Sequence, residues 1–130
     1  MSTQLEPDKI SRAVRAYFLA IRAMDAEAFA NTFAEDGTTF DPVGTPGITG
    51  RTAIREFLES ICKNFKSVGL HEDMIFVAGN GAAAKWTGKG TSANGKEVRF
   101  EGVDVFEINE DGKIQTVRAY WNPAEMIAQL

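Results

Sequence analysis

The sequence of 130 residues contains one cysteine and one histidine, and this scarcity excludes several kinds of site. Cys62 alone cannot form an internal disulfide, which fits a reducing compartment. Cys62 and His71 together are too few to build a zinc site from cysteine and histidine ligands, so we expect no metal. Any catalytic scheme of the Ser-His-Asp or Cys-His type would have to use His71.

Long apolar runs and an excess of positive charge are also missing. No apolar run approaches membrane-spanning length, and residues 1–8 carry neither the basic nor the apolar region of a signal peptide. We therefore expect a cytoplasmic protein with no membrane partner. Because 14 Lys and Arg face 18 Asp and Glu, giving a net charge of −4, a nucleic-acid partner is not expected. No repeat or linker interrupts the chain, so we predict one domain over residues 1–130.

The first part of the chain has the apolar spacing of helices. Apolar residues recur on one face over residues 10–21, which predicts a first helix with Asp8 as its N-cap. A short second helix is predicted after Asp25, and a third begins near Thr49 or Thr52. The second helix is expected to turn three residues inward: Phe29, Ala30 and Phe33.

Strands follow the helices. A short strand is predicted at Gly37–Asp41, before a loop rich in proline and glycine. Four longer strands are predicted at Leu70–Ala78, Ala82–Ser92, Val98–Asn109 and Lys113–Asn122. Asn-Gly and Asp-Gly pairs between them indicate hairpins, because these turns need positive φ angles. With a last short helix after Pro123, the pattern predicts an α+β fold whose helices pack on one face of a curved sheet.

The most informative residue is an acid on an apolar face. In the strand Val98–Asn109 the inward face carries Val98, Phe100, Gly102, Asp104, Phe106 and Ile108. Asp104 therefore lies among phenylalanines, and no basic residue shares its face. We expect burial to raise its pKa and keep the carboxyl protonated, so that it can donate a hydrogen bond. The alternative is a bulge or twist that lets Asp104 reach water or a backbone N–H.

Two more polar groups lie on apolar elements. Tyr17 is on the buried stripe of the first helix, where its hydroxyl needs a partner, although such a tyrosine is commonly a simple core residue. Asp41 ends a strand and precedes Pro42, which holds it in an extended conformation. From the local sequence alone Asp41 is better explained as an acid of an Asx-turn. Trp86 and Trp121 either line a pocket or fill the core.

Six segments match a known family. They are Ala13-Val14-X-X-Tyr17, Phe33-Ala34-X-Asp36, Asp41-Pro42-Val43-Gly44, Ala53-Ile54-Arg55-Glu56-Phe57, Val103-Asp104-Val105-Phe106 and Gly112-Lys113. Through them the chain resembles the ketosteroid isomerases, or steroid Δ-isomerases, of the nuclear transport factor 2-like (SnoaL-like) superfamily. The resemblance runs from about Val14 to Trp121. It implies a cone-shaped α+β fold in which three N-terminal helices pack on a curved, mainly antiparallel sheet.

The resemblance also implies catalytic roles for three residues. It assigns Asp41 as the general base, and Tyr17 and a protonated Asp104 as the two donors to the substrate's oxyanion. The implied reaction removes a proton next to a ketone and returns it further along, which moves a C=C bond without a cofactor. The sequence departs from the family at two positions that hold supporting aromatic residues, a tyrosine among them. Here these positions are Leu58 and Phe33, so Tyr17 would lack a hydrogen-bonded network behind it.

The resemblance further implies a small apolar ketone or steroid-like ligand and a homodimer. We expect the following residues to line the substrate pocket: Phe57, Leu58, Trp86, Phe100, Phe106, Val117 and Trp121. Other activities of the superfamily stay open, among them a cyclase-type enzyme, a non-catalytic binder of a small apolar ligand and a dimerisation domain. A dehydratase is disfavoured, since the chain lacks the histidine usual in that dyad.

Overall fold

The computed structural model describes residues 6–130. Within these residues, four helices and six strands follow one another. The helices are α1 (Pro7–Arg22), α2 (Ala26–Asn31), α3 (Arg51–Lys63) and α4 (Pro123–Ile127). The strands are β1 (Phe33–Phe40), β2 (Ile48–Thr49), β3 (Phe65–Ala78), β4 (Gly81–Ser92), β5 (Glu97–Ile108) and β6 (Ile114–Tyr120). No helix within residues 6–130 is long and apolar enough to cross a membrane.

The strands form one mixed sheet in the order β2-β1-β6-β5-β4-β3. The long strands β3 to β6 make an antiparallel meander through the predicted glycine turns, where Gly79, Gly95 and Gly112 have positive φ angles. Strand β1 joins this meander by pairing parallel to β6. The predicted α+β architecture with a curved, mainly antiparallel sheet is confirmed, although β1 and β2 come before α3 in the chain.

Several local predictions differ from the structure. The N-cap of α1 is Glu6, which makes no side-chain cap, and Asp8 lies inside the first turn because Pro7 occupies the first helical position. Phe33 begins β1 instead of ending α2, so its ring reaches the core from the sheet. Asp25 does cap α2, since its carboxylate accepts a hydrogen bond from the backbone N–H of Ala28.

The inner face of the sheet and the three N-terminal helices enclose the core. Its largest fully buried side chains are Trp86, Tyr17, Phe18, Phe29, Phe33 and Phe106. The outer face is different, because it exposes a group of apolar side chains that we call the outer apolar face: Met74, Phe76, Val103, Val105 and Tyr120. These residues alternate with the inward ones along β3, β5 and β6.

The C-terminal segment folds back over β5. Pairing between β5 and β6 begins at Val103 and Tyr120, so the first residues of β5 have only β4 beside them. The Gln129 side chain occupies the vacant side, where its Oε1 accepts from the Arg99 N–H at 2.8 Å and its Nε2 donates to the Arg99 carbonyl at 2.7 Å. This two-point contact holds α4 against the end of the sheet.

Candidate active site

Asp104 is the centre of the site. It lies on the inner face of β5, and its side chain is almost fully buried, as the alternation in the sequence predicts. The Trp86 Nε1–H donates to Asp104 Oδ1 at 2.8 Å, and Tyr17 hydrogen-bonds the same carboxyl. Burial, followed by the charge of Asp41, raises the pKa of Asp104 to about 8, against the lowering effect of both hydrogen bonds. The carboxyl is therefore protonated at neutral pH.

Asp41 is the second acid of the site. It follows the last residue of β1, and its partly buried carboxyl accepts a hydrogen bond from Trp121 Nε1 at 2.6 Å. Burial raises the pKa of Asp41, and the hydrogen bond from Trp121 lowers it. Within residues 6–130 this indole is the carboxyl's hydrogen-bond partner, so Asp41 is not the Asx-turn acid that the local sequence favours. The loop behind it is closed instead by Thr45, whose N–H and hydroxyl donate to the Pro42 carbonyl.

The sheet register sets the spacing of the two acids. Asp104 pairs with Ala119 across β5 and β6. The parallel pairing of β1 with β6 ends at Phe40 and Arg118, which brings the next residue of the chain, Asp41, beside Ala119. Two strand spacings therefore separate the acids, or roughly 10 Å between their Cα atoms. The residue between them in the register is Ala119, whose side chain is a single methyl group.

Tyr17 lies behind Asp104. Its ring is almost fully buried and contacts four phenylalanine rings at centroid distances of 5.0 to 6.1 Å: Phe18, Phe29, Phe33 and Phe106. Burial raises its pKa well above the ordinary value, and the charges of Asp104 and Asp41 add to the effect. The phenol is thus a neutral donor, and its hydrogen-bond partner is Asp104. Tyr17 is not among the residues that line the cavity described next.

A cavity of about 320 Å³ opens in front of the two acids. Asp41 and Asp104 both line it, together with five of the predicted pocket residues: Phe57, Leu58, Trp86, Phe100 and Trp121. The others belong to the core instead. Phe106 and Val117 lie one row deeper across the sheet, where they pair with each other and are fully buried. Further lining residues include Ile61, Val68 and Leu70, and Pro123 and Met126 of the C-terminal segment.

Two glycines make room for an aromatic wall in this cavity. A Cβ atom at Gly102 would lie 2.6 Å from Trp86 Cζ2 and 2.8 Å from Trp121 Cβ. A Cβ atom at Gly88 would lie 2.4 Å from the Phe100 ring. Without these side chains the three rings stack edge to face or tilted, with centroids 5.4 to 6.1 Å apart. In the sequence, the glycines of β4 and β5 indicate this wall. The alternation of inward and outward residues does not predict it.

The site is thus an apolar cavity with two carboxyls in different states. Asp104 is a neutral acid whose pKa is raised by burial and by the charge of Asp41, whereas burial raises the pKa of Asp41 against the lowering effect of the hydrogen bond from Trp121. Each carboxyl receives one indole N–H donor, from Trp86 or Trp121. Within the described residues no group of three or more His, Cys, Asp or Glu side chains could hold a metal ion. Such an arrangement supplies one proton donor and one proton acceptor to a buried ligand.

Comparison with known proteins identifies the family. The model of the SnoaL-like domain matches residues 14–117, which include most of α1, all of α2 and α3, the strands β1 to β5, the start of β6 and both acids. The chain is a member of the SnoaL-like family. This SnoaL-like protein is 32% identical over 119 residues to a protein named Steroid Delta-isomerase from Nocardioides simplex, with 92% of this chain and 94% of the relative covered. The predicted resemblance to this branch of the nuclear transport factor 2-like superfamily is confirmed.

Solved structures share the fold. SalBIII, described as an epoxide hydrolase/cyclase-like enzyme with a role in pyran ring formation in the polyether salinomycin, is 27% identical with a TM-score of 0.82 and covers 92% of this chain and 95% of its own. A putative polyketide cyclase from Xanthomonas campestris pv. campestris is 26% identical with a TM-score of 0.84 and coverage of 94% and 96%. An LEH-like epoxide hydrolase of M. tuberculosis, 21% identical with a TM-score of 0.79 over 95% and 90%, shares the fold.

Proposed function

We propose that this SnoaL-like protein is an isomerase of the ketosteroid isomerase type, which moves a C=C bond in a small apolar ketone. The observation that carries the proposal is the pair of carboxyls at the front of one apolar cavity, one held neutral and one available as a base. A volume of about 320 Å³ is at the lower end of ordinary ligand pockets, which suits one compact apolar molecule. The similarity to a protein named Steroid Delta-isomerase supports the same reaction class.

The proposed reaction needs one base and one donor. Ionised Asp41 removes the proton from the carbon next to the ketone, and the electron pair moves to the carbonyl oxygen. The protonated Asp104 donates a hydrogen bond to that oxygen, with Tyr17 supporting it from behind. Asp41 then returns the same proton at the far end of the conjugated dienolate. The apolar wall excludes water, so the hydrogen bond from Asp104 is strongest where negative charge develops.

The test is a spectrophotometric assay with 5-androstene-3,17-dione, whose conjugated product absorbs in the ultraviolet. We expect turnover by the wild-type protein and none by Asp41→Asn, because the amide cannot accept the proton. Circular dichroism of both proteins checks that the fold is unchanged. Turnover retained in Asp41→Asn would disprove the assignment of the base. A folded wild-type protein with no turnover would favour the next candidate or simple ligand binding.

The second candidate is ring closure by epoxide opening, which the similarity to SalBIII favours. Asp104 would give its proton to the epoxide oxygen as the C–O bond breaks. Asp41 would take the proton of a hydroxyl in the same molecule as that oxygen forms the new C–O bond. The neutral carboxyl of Asp104 at the cavity, with Tyr17 behind it, suits this acid–base pairing. Incubation with an epoxy alcohol distinguishes the candidates. A cyclase converts it to a cyclic ether of the same mass, whereas an isomerase that acts on ketones leaves it unchanged.

We also propose that the chain forms a homodimer through the outer apolar face. Phe76 and Met74 on this face expose 67% and 57% of their surface. Together with the other exposed apolar side chains they form a contiguous patch, which indicates an interaction surface more strongly than apolar residues scattered singly would. Lys85 and Glu101 lie beside them and form an ion pair at 3.3 Å, so these two charges offset each other on the face. A second copy of the sheet would cover these side chains. Sedimentation equilibrium measures the dimer directly.

A further inference from the structure

Trp86 is held rigidly against Asp104. Its indole is 2% exposed, and the rings of Phe100 and Trp121 contact it at centroid distances of 5.8 and 6.1 Å. Gly102, its pairing partner on β5, supplies the space that the ring occupies. The Nε1–H of such a fixed ring has one direction available, and it donates to Asp104 Oδ1 at 2.8 Å. The indole is therefore a built-in partner of the carboxyl.

An indole N–H can only donate, and this fact constrains the carboxyl. Because Trp86 donates to Oδ1, that oxygen is an acceptor and the carboxyl's own proton belongs on Oδ2. Tyr17 is buried behind Asp104 and absent from the cavity lining, whereas Asp104 lines the cavity. The phenol O–H therefore donates to Asp104, and the Asp104 O–H is free to donate to a ligand. A chain of donors then runs from the core to the cavity, in which each bond polarises the next.

We propose that Trp86 is a positioning residue that fixes the proton of Asp104 on Oδ2 and supports the charge that the carboxyl shares with a bound oxyanion. The inference rests on the proposed function of Asp104 as donor. It also explains how the site works with Leu58 and Phe33, which give Tyr17 no hydrogen-bonding network. In this chain the support reaches Asp104 directly from the indole on the neighbouring strand.

Few charged groups face Asp104, so the effect of Trp86 on the titration of Asp104 can be separated from the effects of neighbouring charges. The titratable side chains that interact with it are Tyr17 from α1 and Asp41 from the end of β1. Its cross-strand partners on β4 and β6 are Ala84 and Ala119, which do not titrate. Trp121 provides a matched control, because it is also a cavity tryptophan whose Nε1–H binds a carboxyl, that of Asp41.

The experiment compares Trp86→Phe with Trp121→Phe. Binding of 4-nitrophenolate, followed by its absorbance, is expected to weaken about tenfold in Trp86→Phe and about twofold or less in Trp121→Phe. The carboxyl resonance of Asp104, assigned with Asp104→Asn in protein carrying ¹³C-aspartate, is expected to titrate about one pH unit higher in Trp86→Phe. Trp121→Phe is expected to move the titration of Asp41 upward instead.

Equal losses of binding in both variants, with the Asp104 titration unmoved, would overturn the proposal, because loss of ring area alone would then explain the effect. The wild-type protein gives a check that needs no variant. The ¹H–¹⁵N resonance of Trp86 Nε1 is expected to shift with the Asp104 titration, and a pH-independent resonance would also refute the proposal. None of these measurements requires turnover, so a failure of the isomerase assay is recognised separately.

Discussion

Replacing Asp104 by asparagine is expected to stabilise the folded protein, by an amount that grows with pH. Burial and the charge of Asp41 raise the pKa of Asp104 to about 8 in the fold, whereas an unperturbed aspartate titrates near 3.8. At pH 7 the unfolded chain holds this carboxyl ionised, and the folded protein must protonate it. Each pH unit above the unfolded pKa costs about 1.4 kcal/mol, so folding at pH 7 carries a cost of about 4 kcal/mol.

The asparagine variant removes this cost and keeps the hydrogen bond from Trp86. Its amide oxygen can accept from Trp86 as Oδ1 does, and its NH₂ donates as the protonated carboxyl does. Urea denaturation between pH 4 and 8 measures the free energy of unfolding of both proteins. We expect no difference near pH 4 and a gain of about 4 kcal/mol at pH 7, a large share of a typical total stability.

Asp111→Asn is the matched control for the loss of a charge, because Asp111 lies exposed in the turn between β5 and β6. It is expected to leave the difference in stability nearly constant across the same pH range. A gain for Asp104→Asn that does not change between pH 4 and 8 would refute the reasoning, since only the proton taken up on folding makes the effect depend on pH. A loss of stability at every pH would show that the amide does not fit the carboxyl's place.

Three other predictions follow from the site and the sheet. Gly102→Ala is expected to cost about 1–3 kcal/mol in thermal or urea unfolding and to change the fluorescence of both indoles, because the added methyl overlaps the Trp86 ring, the Tyr120 carbonyl and the Trp121 Cβ atom; unchanged fluorescence would contradict the tight wall. The pH–rate profile is expected to fall at acid pH as Asp41 is protonated, with a limb above the usual aspartate range, and at basic pH near 8 as Asp104 ionises; a flat profile through pH 8 would exclude Asp104 as the acid. Phe76→Glu is expected to give a folded monomer by sedimentation, and a dimer that persists would exclude the outer apolar face.

The sequence is sufficient to predict the acid at the centre of the site. Strict alternation along β5 places Asp104 on the inner face, because side chains of a strand point to opposite sides. Asn-Gly and Asp-Gly pairs predict the hairpins, because the positive φ angles of such turns depend only on the residues of the turn itself. Asp41 is harder, since its local sequence favours a turn and its carboxyl finds its partner only in a tryptophan 80 positions away, just after the neighbouring strand β6.

The hydrogen bonds of the tryptophans are beyond sequence reasoning for a physical reason. Trp86 and Asp104 lie 18 positions apart and meet diagonally across two strands, so their contact depends on register and on the space left at Gly102. Phe106 shows the opposite limit. The alternation along β5 predicts that its side chain points inward. Whether an inward side chain lies in the core or lines the cavity depends on its position along the strand, which the alternation does not reveal.

The two-point contact of Gln129 has a consequence for how the protein behaves in a crowded solution. The first residues of β5 lack a neighbouring strand where β6 has ended, and a bare strand edge is a template for pairing with other chains. By taking both the N–H and the carbonyl of Arg99, the amide of Gln129 stands in for a strand that is not there. The last turn of the chain thereby protects the protein from edge-to-edge aggregation at the same place where Met126 closes one side of the cavity.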